Sequence, residues 1–291
     1  MPKVSVLIPN YNTKEEWLKE SIESILNQTF QDFEIIILDD GSKTSPEELI
    51  KSFKDERIKF YQNEINLGVG KTRNKLLELA KGDYVAFQDS DDISLPTRLE
   101  KQVEFLDNNM DFSGVSAWVE TFPNKKVLKN IEKPKILDFL CGCEFIQPSA
   151  MLRVNDFKKY DLKFNDNFTT SEDYDLWTRT IEKLNLYNIQ EVLLKYRRNP
   201  NSLVHTKKRE IAEADLIIKQ RLLDKLTNDK KLQNEIMKVI SKYSQKKSSF
   251  FEKIFSIRNE WNGLNKNKII QIIGIKFVIK GRWWIIIEFI K

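Results

Sequence analysis

From residue 3 to residue 108 the chain alternates four short apolar runs with four stretches of helical spacing, and this rhythm restricts the fold more than any other feature. The β-type runs are 3–9, 33–38, 58–61 and 84–88; the helical stretches are 15–27, 45–53, 69–80 and 96–108. In the first helical stretch Trp17, Leu18, Ile22, Ile25 and Leu26 recur at the spacing of one buried stripe. Ser45 stands where it caps the second helix, with Pro46 at the first helical position. Strands and helices alternating at this pitch build βαβ units, hence a mainly parallel sheet with helices on both faces. Ligands of such sheets bind beyond the carboxyl ends of the strands.

Three polar clusters fall on that edge: Pro9-Asn10-Tyr11-Asn12, Asp39-Asp40-Gly41-Ser42 and Asp89-Ser90-Asp91-Asp92. Any one of them reads equally as a turn, since Asn, Asp and Gly are what turns prefer. Carboxylates recurring at equivalent strand ends point instead to a site. The third cluster is the most demanding, because an apolar run, Tyr84-Val85-Ala86-Phe87-Gln88, delivers Asp89, Asp91 and Asp92 side by side. Like charges so placed raise one another's pKa unless a cation sits among them. Oxygen-only ligands suit Mg²⁺ or Mn²⁺, and Mg²⁺ keeps substrate phosphates in its shell, which points to a phosphorylated or nucleotide-linked substrate. The plainer reading is an acidic helix start, with Asp92 or Ser94 capping a helix that opens near Pro96.

Beyond residue 108 the alternation weakens, as an inserted or acceptor-facing lobe requires. Residues 111–119 and 150–153 read as extended and 173–184 as helical; after His205 the pattern turns helical over 207–226 and 230–243, with a hinge at 246–249. The net charge is +5, but residues 230–291 hold 14 Lys/Arg against 4 Asp/Glu, leaving the first 229 residues at −5. Cations of this tail alternate with Ile, Phe and Trp, which speaks against nucleic acid. Residues 268–291 contain no uninterrupted apolar run of about 18, so a membrane span is not expected. Trp283, Trp284 and abundant isoleucine among basic residues suit a surface helix or ribbon in the headgroup region of an anionic membrane. A final helix or strand packing back on the domain is the alternative. Cys141 and Cys143 are too close for an ordinary staple and lack the partners of a zinc site, so reduced thiols in a cytoplasmic protein are expected. The apolar pattern begins directly after Met1, and no signal peptide is expected.

SVLIPNYN at 5–12, ILDDGS at 37–42, NLG at 66–68 with Arg73-Asn74, FQDSDD at 87–92 and SEDYDLWTR at 171–179 stand in an order that resembles glycosyltransferase family 2. The resemblance covers roughly residues 1–205. It implies a GT-A fold, a Rossmann-like, mainly parallel sheet flanked by helices, here followed by a helical, basic C-terminal extension. The implied organisation is a domain over 1–205, with a nucleotide-sugar-binding half at 1–108 and an acceptor-side half at 109–205, then an extension over 206–291. The implied activity is inverting transfer of a hexosyl or hexosaminyl unit from a nucleotide-diphosphate sugar, UDP-linked by expectation, to a glycan or polyprenyl-linked acceptor in surface polysaccharide synthesis. A cytoplasmic place follows, peripheral on the inner membrane face if the tail binds lipid.

The same resemblance assigns roles. Pro9 and Tyr11 lie at the nucleotide, Tyr11 as a stacking face for the base or else as a core aromatic. Asp39 or Asp40 accepts from a pyrimidine imide, with Asp40 preferred. Arg73 serves near base and phosphates, or forms a surface salt bridge. Asp89, Ser90 and Asp91 match the family's DXD motif: Asp91 reaches Mn²⁺ or Mg²⁺ directly, Asp89 contacts ribose or metal-bound water, and Asp92 caps the next helix. Asp173 is the expected base that takes a proton from the acceptor hydroxyl, with Glu172 beside it as a supporting or acceptor-binding acid. An acidic pair at a helix start is also what the helix dipole favours. His205, the one histidine, is a candidate metal or phosphate contact, alongside Arg197 and Arg198. Gln147-Pro148-Ser149 stands where related sequences place a His-Pro-Ser-like acceptor segment. Two further function classes fit less well: nucleotidyl transfer wants a glycine-rich phosphate loop, which PNYN does not supply, and a non-catalytic nucleotide-sugar sensor or scaffold has no need of Asp91 and Asp173.

Overall fold

The computed structural model describes residues 1–199, 202–228, 230, 233–234 and 236–237, and the backbone of 255–262, 265–272, 275–280 and 284–289. The chain divides into two units, Met1–Leu222 and Leu223–Lys291.

In the first unit β1 (Val4–Asn10), β2 (Phe33–Asp39), β3 (Ile58–Gln62) and β4 (Tyr84–Phe87) pair in parallel in the order β3-β2-β1-β4. The connecting helices are α1 (Glu15–Leu26), α2 (Glu47–Ser52) and α3 (Val69–Leu79). Val4, Val6, Leu7 and Ile8 of β1 are all inaccessible to solvent, as a central strand covered on both faces must be. Leu18, Ile22 and Ile25 of α1 pack on one side of it with Ile35 and Ile37. This half follows the expected alternation closely.

The second half extends the same sheet through β8 (Met151–Arg153), β6 (Phe112–Phe122), β9 (Asn185–Arg197) and β5 (Ile93–Ser94), with β7 (Lys126–Leu128) on β6. Strands β8, β5 and β7 run against the others, so six of the nine strands share one direction. Helix α4 (Arg98–Asn108) follows β5; α5 (Val154–Lys159) follows β8; α6 (Glu172–Ile181) precedes β9; α7 (Leu203–Thr206) and α8 (Lys208–Leu226) follow it. The unit boundary lies inside α8, beyond the residue 205 expected from sequence.

The second unit departs from the helical tail expected over 206–291. Residues 230, 233–234 and 236–237 are helical, but β10 (Phe255–Asn262), β11 (Asn265–Ile272), β12 (Ile275–Lys280) and β13 (Trp284–Phe289) form an antiparallel meander. Its sequence explains the change: isoleucine is stiff at χ1 and suits a pleated surface. Asn262 pairs with Asn265 and Ile272 with Ile275, leaving two residues at each of these connections, the commonest hairpin length, and each of them includes a glycine, Gly263 or Gly274. The expected hinge at 246–249 lies outside the described residues. No helix among the described residues is long and apolar enough to cross a membrane.

Candidate active site

The register of the parallel half puts Asn10, Asp39 and Gln62 side by side at the ends of β1, β2 and β3. Their side chains join there: Asn10 Nδ2 donates to Asp39 Oδ1 at 2.6 Å and Gln62 Nε2 to Asp39 Oδ2 at 3.1 Å. Ser42 adds its hydroxyl at 2.5 Å and its N–H at 3.0 Å, so the buried Asp39 accepts four donors. That uses the acceptor sites of a carboxylate. Asp40, also buried, accepts from Asn63 Nδ2 at 2.8 Å and from the N–H groups of Leu67 and Gly68 at 2.9 Å, which retains one site and ties β2 to the start of α3. Gly41 makes this approach feasible: its φ is +72°, and a Cβ there would lie 2.7 Å from the carbonyl carbon of Ile65. Tyr11 stands just beyond β1 with 49% of its surface exposed.

Strand β4 ends against this edge and delivers the acidic loop. Ser90 Oγ meets Thr13 Oγ1 at 2.7 Å, and the Asp89 carbonyl accepts from Ser21. Burial, with Asp89 next door, pushes the Asp91 carboxyl up to about 6, although the Asn199 side chain and the charge of Arg197 oppose the shift. Asp92 is fully buried; one oxygen accepts the N–H of Arg197 at 2.8 Å and the other, Oδ2, has no hydrogen-bond partner. Asp92 is therefore not the cap of the next helix. Helix α4 opens at Arg98 without a side-chain cap, and Asp92 instead pins the end of β9 against the loop. Arg98 lies buried close by, donating to Gln88, Ser94 and the Phe87 carbonyl, and its charge reaches Asp92 and Asp89. Asp89, Asp91 and the unpartnered Oδ2 of Asp92 offer oxygen donors, the type that a hard divalent cation such as Mg²⁺ or Mn²⁺ takes. Among the described residues no group of three His, Cys, Asp or Glu is arranged to hold a metal ion. His205 is exposed on α7.

Helix α6 carries the second set of acids. Glu172 is buried and takes Arg73 Nη1 at 2.6 Å, while Arg73 Nη2 reaches Asp89 at 3.0 Å. One guanidinium from α3 thus binds the acid loop of β4 to the start of α6, and neighbouring Phe164 stacks beneath it at 5.5 Å. Asp173 is half-buried; burial first, then Glu172, pushes its carboxyl up to about 7 against the pull of Arg73. Such a value suits a group that takes a proton at neutral pH.

Three residues at the site carry no obvious signal in the sequence. Tyr196 of β9 lies in the field of Asp89, Asp91, Asp92 and Asp173, with its phenol held protonated by burial and then by those charges. Cys143 donates to the Phe145 carbonyl at 3.2 Å and feels the charge of Asp173. Asp215 of α8 accepts from Ser171 at 2.7 Å. Each is brought in by an element remote in sequence. Arg197 is committed to structure: its Nε donates to the Asp91 carbonyl at 2.7 Å, its Nη2 to Glu20, and its guanidinium lies over Trp17 and Phe122. Gln147 is buried with neither side-chain oxygen nor nitrogen partnered.

Comparison with known proteins agrees with this architecture. The family model for glycosyl transferase family 2 matches residues 5–167. An uncharacterised glycosyltransferase of Methanocaldococcus jannaschii is 41% identical over 72% of this chain and 76% of its own length. The Escherichia coli protein WfgD, a UDP-Glc:α-D-GlcNAc-diphosphoundecaprenol β-1,3-glucosyltransferase, is 30% identical over 72% of this chain and 82% of its own. Among solved structures, S. aureus TarS residues 1–349 with UDP has a TM-score of 0.63 at 20% identity, covering 81% of this chain and 69% of that one. The mannosyltransferase PcManGT of Pyrobaculum calidifontis, with GDP-Man and Mn²⁺, has a TM-score of 0.60 at 14% identity, covering 84% and 70%. With its family motifs gathered on one edge of a GT-A sheet, the chain belongs to glycosyltransferase family 2 and is a glycosyltransferase.

Proposed function

We propose that this glycosyltransferase moves a hexosyl or hexosaminyl unit, with inversion, from a UDP-sugar to a polyprenyl-linked glycan in surface polysaccharide synthesis. The observation that carries the reading is Arg73 between Asp89 and Glu172, because it joins a donor-side acid to an acceptor-side acid in one site. The nucleotide names attached to WfgD and TarS support UDP, and the diphosphoundecaprenol in the WfgD name supports a lipid-linked acceptor.

In this reading Tyr11, flanked by Pro9, stacks on the base, and Asp40 accepts from the imide N–H through its one free site. Asp39 holds the loop, and Asp89 with Ser90 faces the ribose. Asp91, with Asp89 beside it, holds Mn²⁺ or Mg²⁺, which when bound supplies positive charge to the diphosphate leaving group. Asp173 takes the proton of the acceptor hydroxyl as that oxygen attacks the sugar carbon from the face opposite the diphosphate. Glu172, ion-paired with Arg73, sets the charge around the base. His205 remains a candidate contact to the metal or the diphosphate. The basic C-terminal unit holds the enzyme on an anionic membrane surface near its acceptor.

A thermal-shift screen of UDP-, GDP- and dTDP-sugars with Mn²⁺ tests the donor. Stabilisation by UDP-sugars above the others is expected. No stabilisation by any of them overturns the reading.

A further inference from the structure

Asp173 and Glu172 open helix α6, and the residue before them is held in an unusual way. Ser171 has φ +55° and ψ +23°, the left-handed region, which costs a non-glycine residue about 1 kcal/mol or more. Its hydroxyl does not cap the helix it precedes. It donates instead to Asp215 Oδ1 on α8 at 2.7 Å. A second tie lies one turn further along: Arg221 of α8 donates from Nη1 to the fully buried Asp175 and from Nη2 to Thr178 Oγ1 at 2.6 Å. Arg179 completes the neutralisation of Asp175 at 2.9 Å. Helix α8 is anchored by its own apolar stripe, Ala214, Ile218 and Leu222, at i, i+4 spacing.

From this geometry we infer that Asp215 is a positioning residue for the Glu172–Asp173 pair: by gripping Ser171 in its left-handed turn it sets where the two carboxylates project. The inference rests on the reading of Asp173 as base. It places a determinant of the site on α8, beyond the residues 5–167 that the family model matches. Five groups share an electrostatic field with the Asp173 carboxyl: Glu172 on its own helix, Arg73 from α3, Asp215 from α8, Cys143 from the 141–146 segment and Tyr196 from β9. Asp215 is itself accompanied by the buried ammonium of Lys219, which stays on α8 when Asp215 is changed. Removing the Asp215 charge therefore lowers the Asp173 pKa, whereas removing its oxygen also frees Ser171.

The test uses the full chain carrying Asp215→Asn or Asp215→Ala, read two ways. Carboxylate-labelled aspartate NMR, with Asp173→Asn for assignment, follows the Asp173 titration; kcat and KM for hydrolysis of UDP-glucose and UDP-GlcNAc, with water as the acceptor, are followed against pH. Asp215→Asn, whose amide oxygen still accepts from Ser171, is expected to lower the Asp173 midpoint, to move the acid limb of kcat with it, and to leave KM unchanged. Asp215→Ala is expected to lower kcat about ten- to a hundredfold at every pH, with KM again unchanged. A kcat in Asp215→Ala within about twofold of the parent, or an Asp173 midpoint in Asp215→Ala no different from that in Asp215→Asn, overturns the inference. If the parent chain turns over no UDP-sugar, the functional reading fails, and the Asp173 titration alone judges Asp215.

Discussion

Arg73 Nη1 lies 2.6 Å from Glu172 Oε1 across 99 residues of sequence, both side chains nearly free of solvent. Nothing local requires this pairing. It exists because the fold brings the start of α3 against the start of α6, where a Cβ on Gly70 would lie 3.8 Å from Glu172 Cγ, and it ties the acid loop to α6 through the second arm of Arg73 on Asp89.

Arg73→Ala leaves Glu172 buried without its counter-charge. Loss of one partner from such a pair costs about 3–5 kcal/mol, and chemical denaturation is expected to show a drop of that order. The double variant Arg73→Ala, Glu172→Gln should recover part of it, since the orphaned charge is gone.

Asp173→Asn is expected to reduce transfer by about 10²- to 10⁴-fold while UDP-sugar binding stays within a few-fold. In the parent, activity should rise with pH through about 7, as Asp173 loses its proton. Stability runs the other way. The folded-state pKa lies above the unfolded value, so the contribution of the neutral acid is full below the unfolded value and is lost as pH rises through about 7. Asp173→Asn should therefore be more stable than the parent at pH 8, by an amount on the order of 1 kcal/mol, and less distinct at pH 5.

Asp91→Asn should abolish the added thermal stabilisation that Mn²⁺ gives to the UDP-bound enzyme, and EDTA should do the same to the parent. A Mn²⁺ effect that survives Asp91→Asn would move the cation to other ligands.

Gly41→Ala sets a side chain in a left-handed turn and against the Ile65 backbone at once. Equilibrium denaturation is expected to show a loss of about 1–3 kcal/mol, with weakened UDP binding because Asp40 and the start of α3 move together.

Deleting residues from 248 onward should release the protein from anionic vesicles with little change in donor affinity. Vesicle binding that persists would leave the second unit as a folding element.

The two halves of the sheet were not equally legible. Strands β1 to β4 and helices α1, α3 and α4 follow from apolar spacing to within two residues at most ends, because each is a regular element with one buried face or two. Strand β9 escapes the same reading although it is thirteen residues long. Its pairing with β6 shifts register around Ala117, Trp118 and Val119, and an irregularity there breaks the period of two on which a strand is recognised. Asn185–Arg197 brings Tyr196 and Arg197 to the acids, so that part of the site was hidden with it. The tail's cations and apolar residues suit an amphipathic surface as helix or as ribbon; pairing between successive strands selects the sheet.

By itself the sequence determined the parallel half of the sheet and the edge on which Pro9, Asp39, Asp40 and Asp89 to Asp92 gather, because hydrophobic period and turn residues act over a few neighbours. Tertiary structure alone decided that Asp39 is filled with donors while Asp40 keeps a free site, that Arg73 spans two acids, that Asp92 pins β9, and that Asp215 grips Ser171. Ion pairing and proton affinity depend on burial and through-space distance, and no local pattern of residues carries that information.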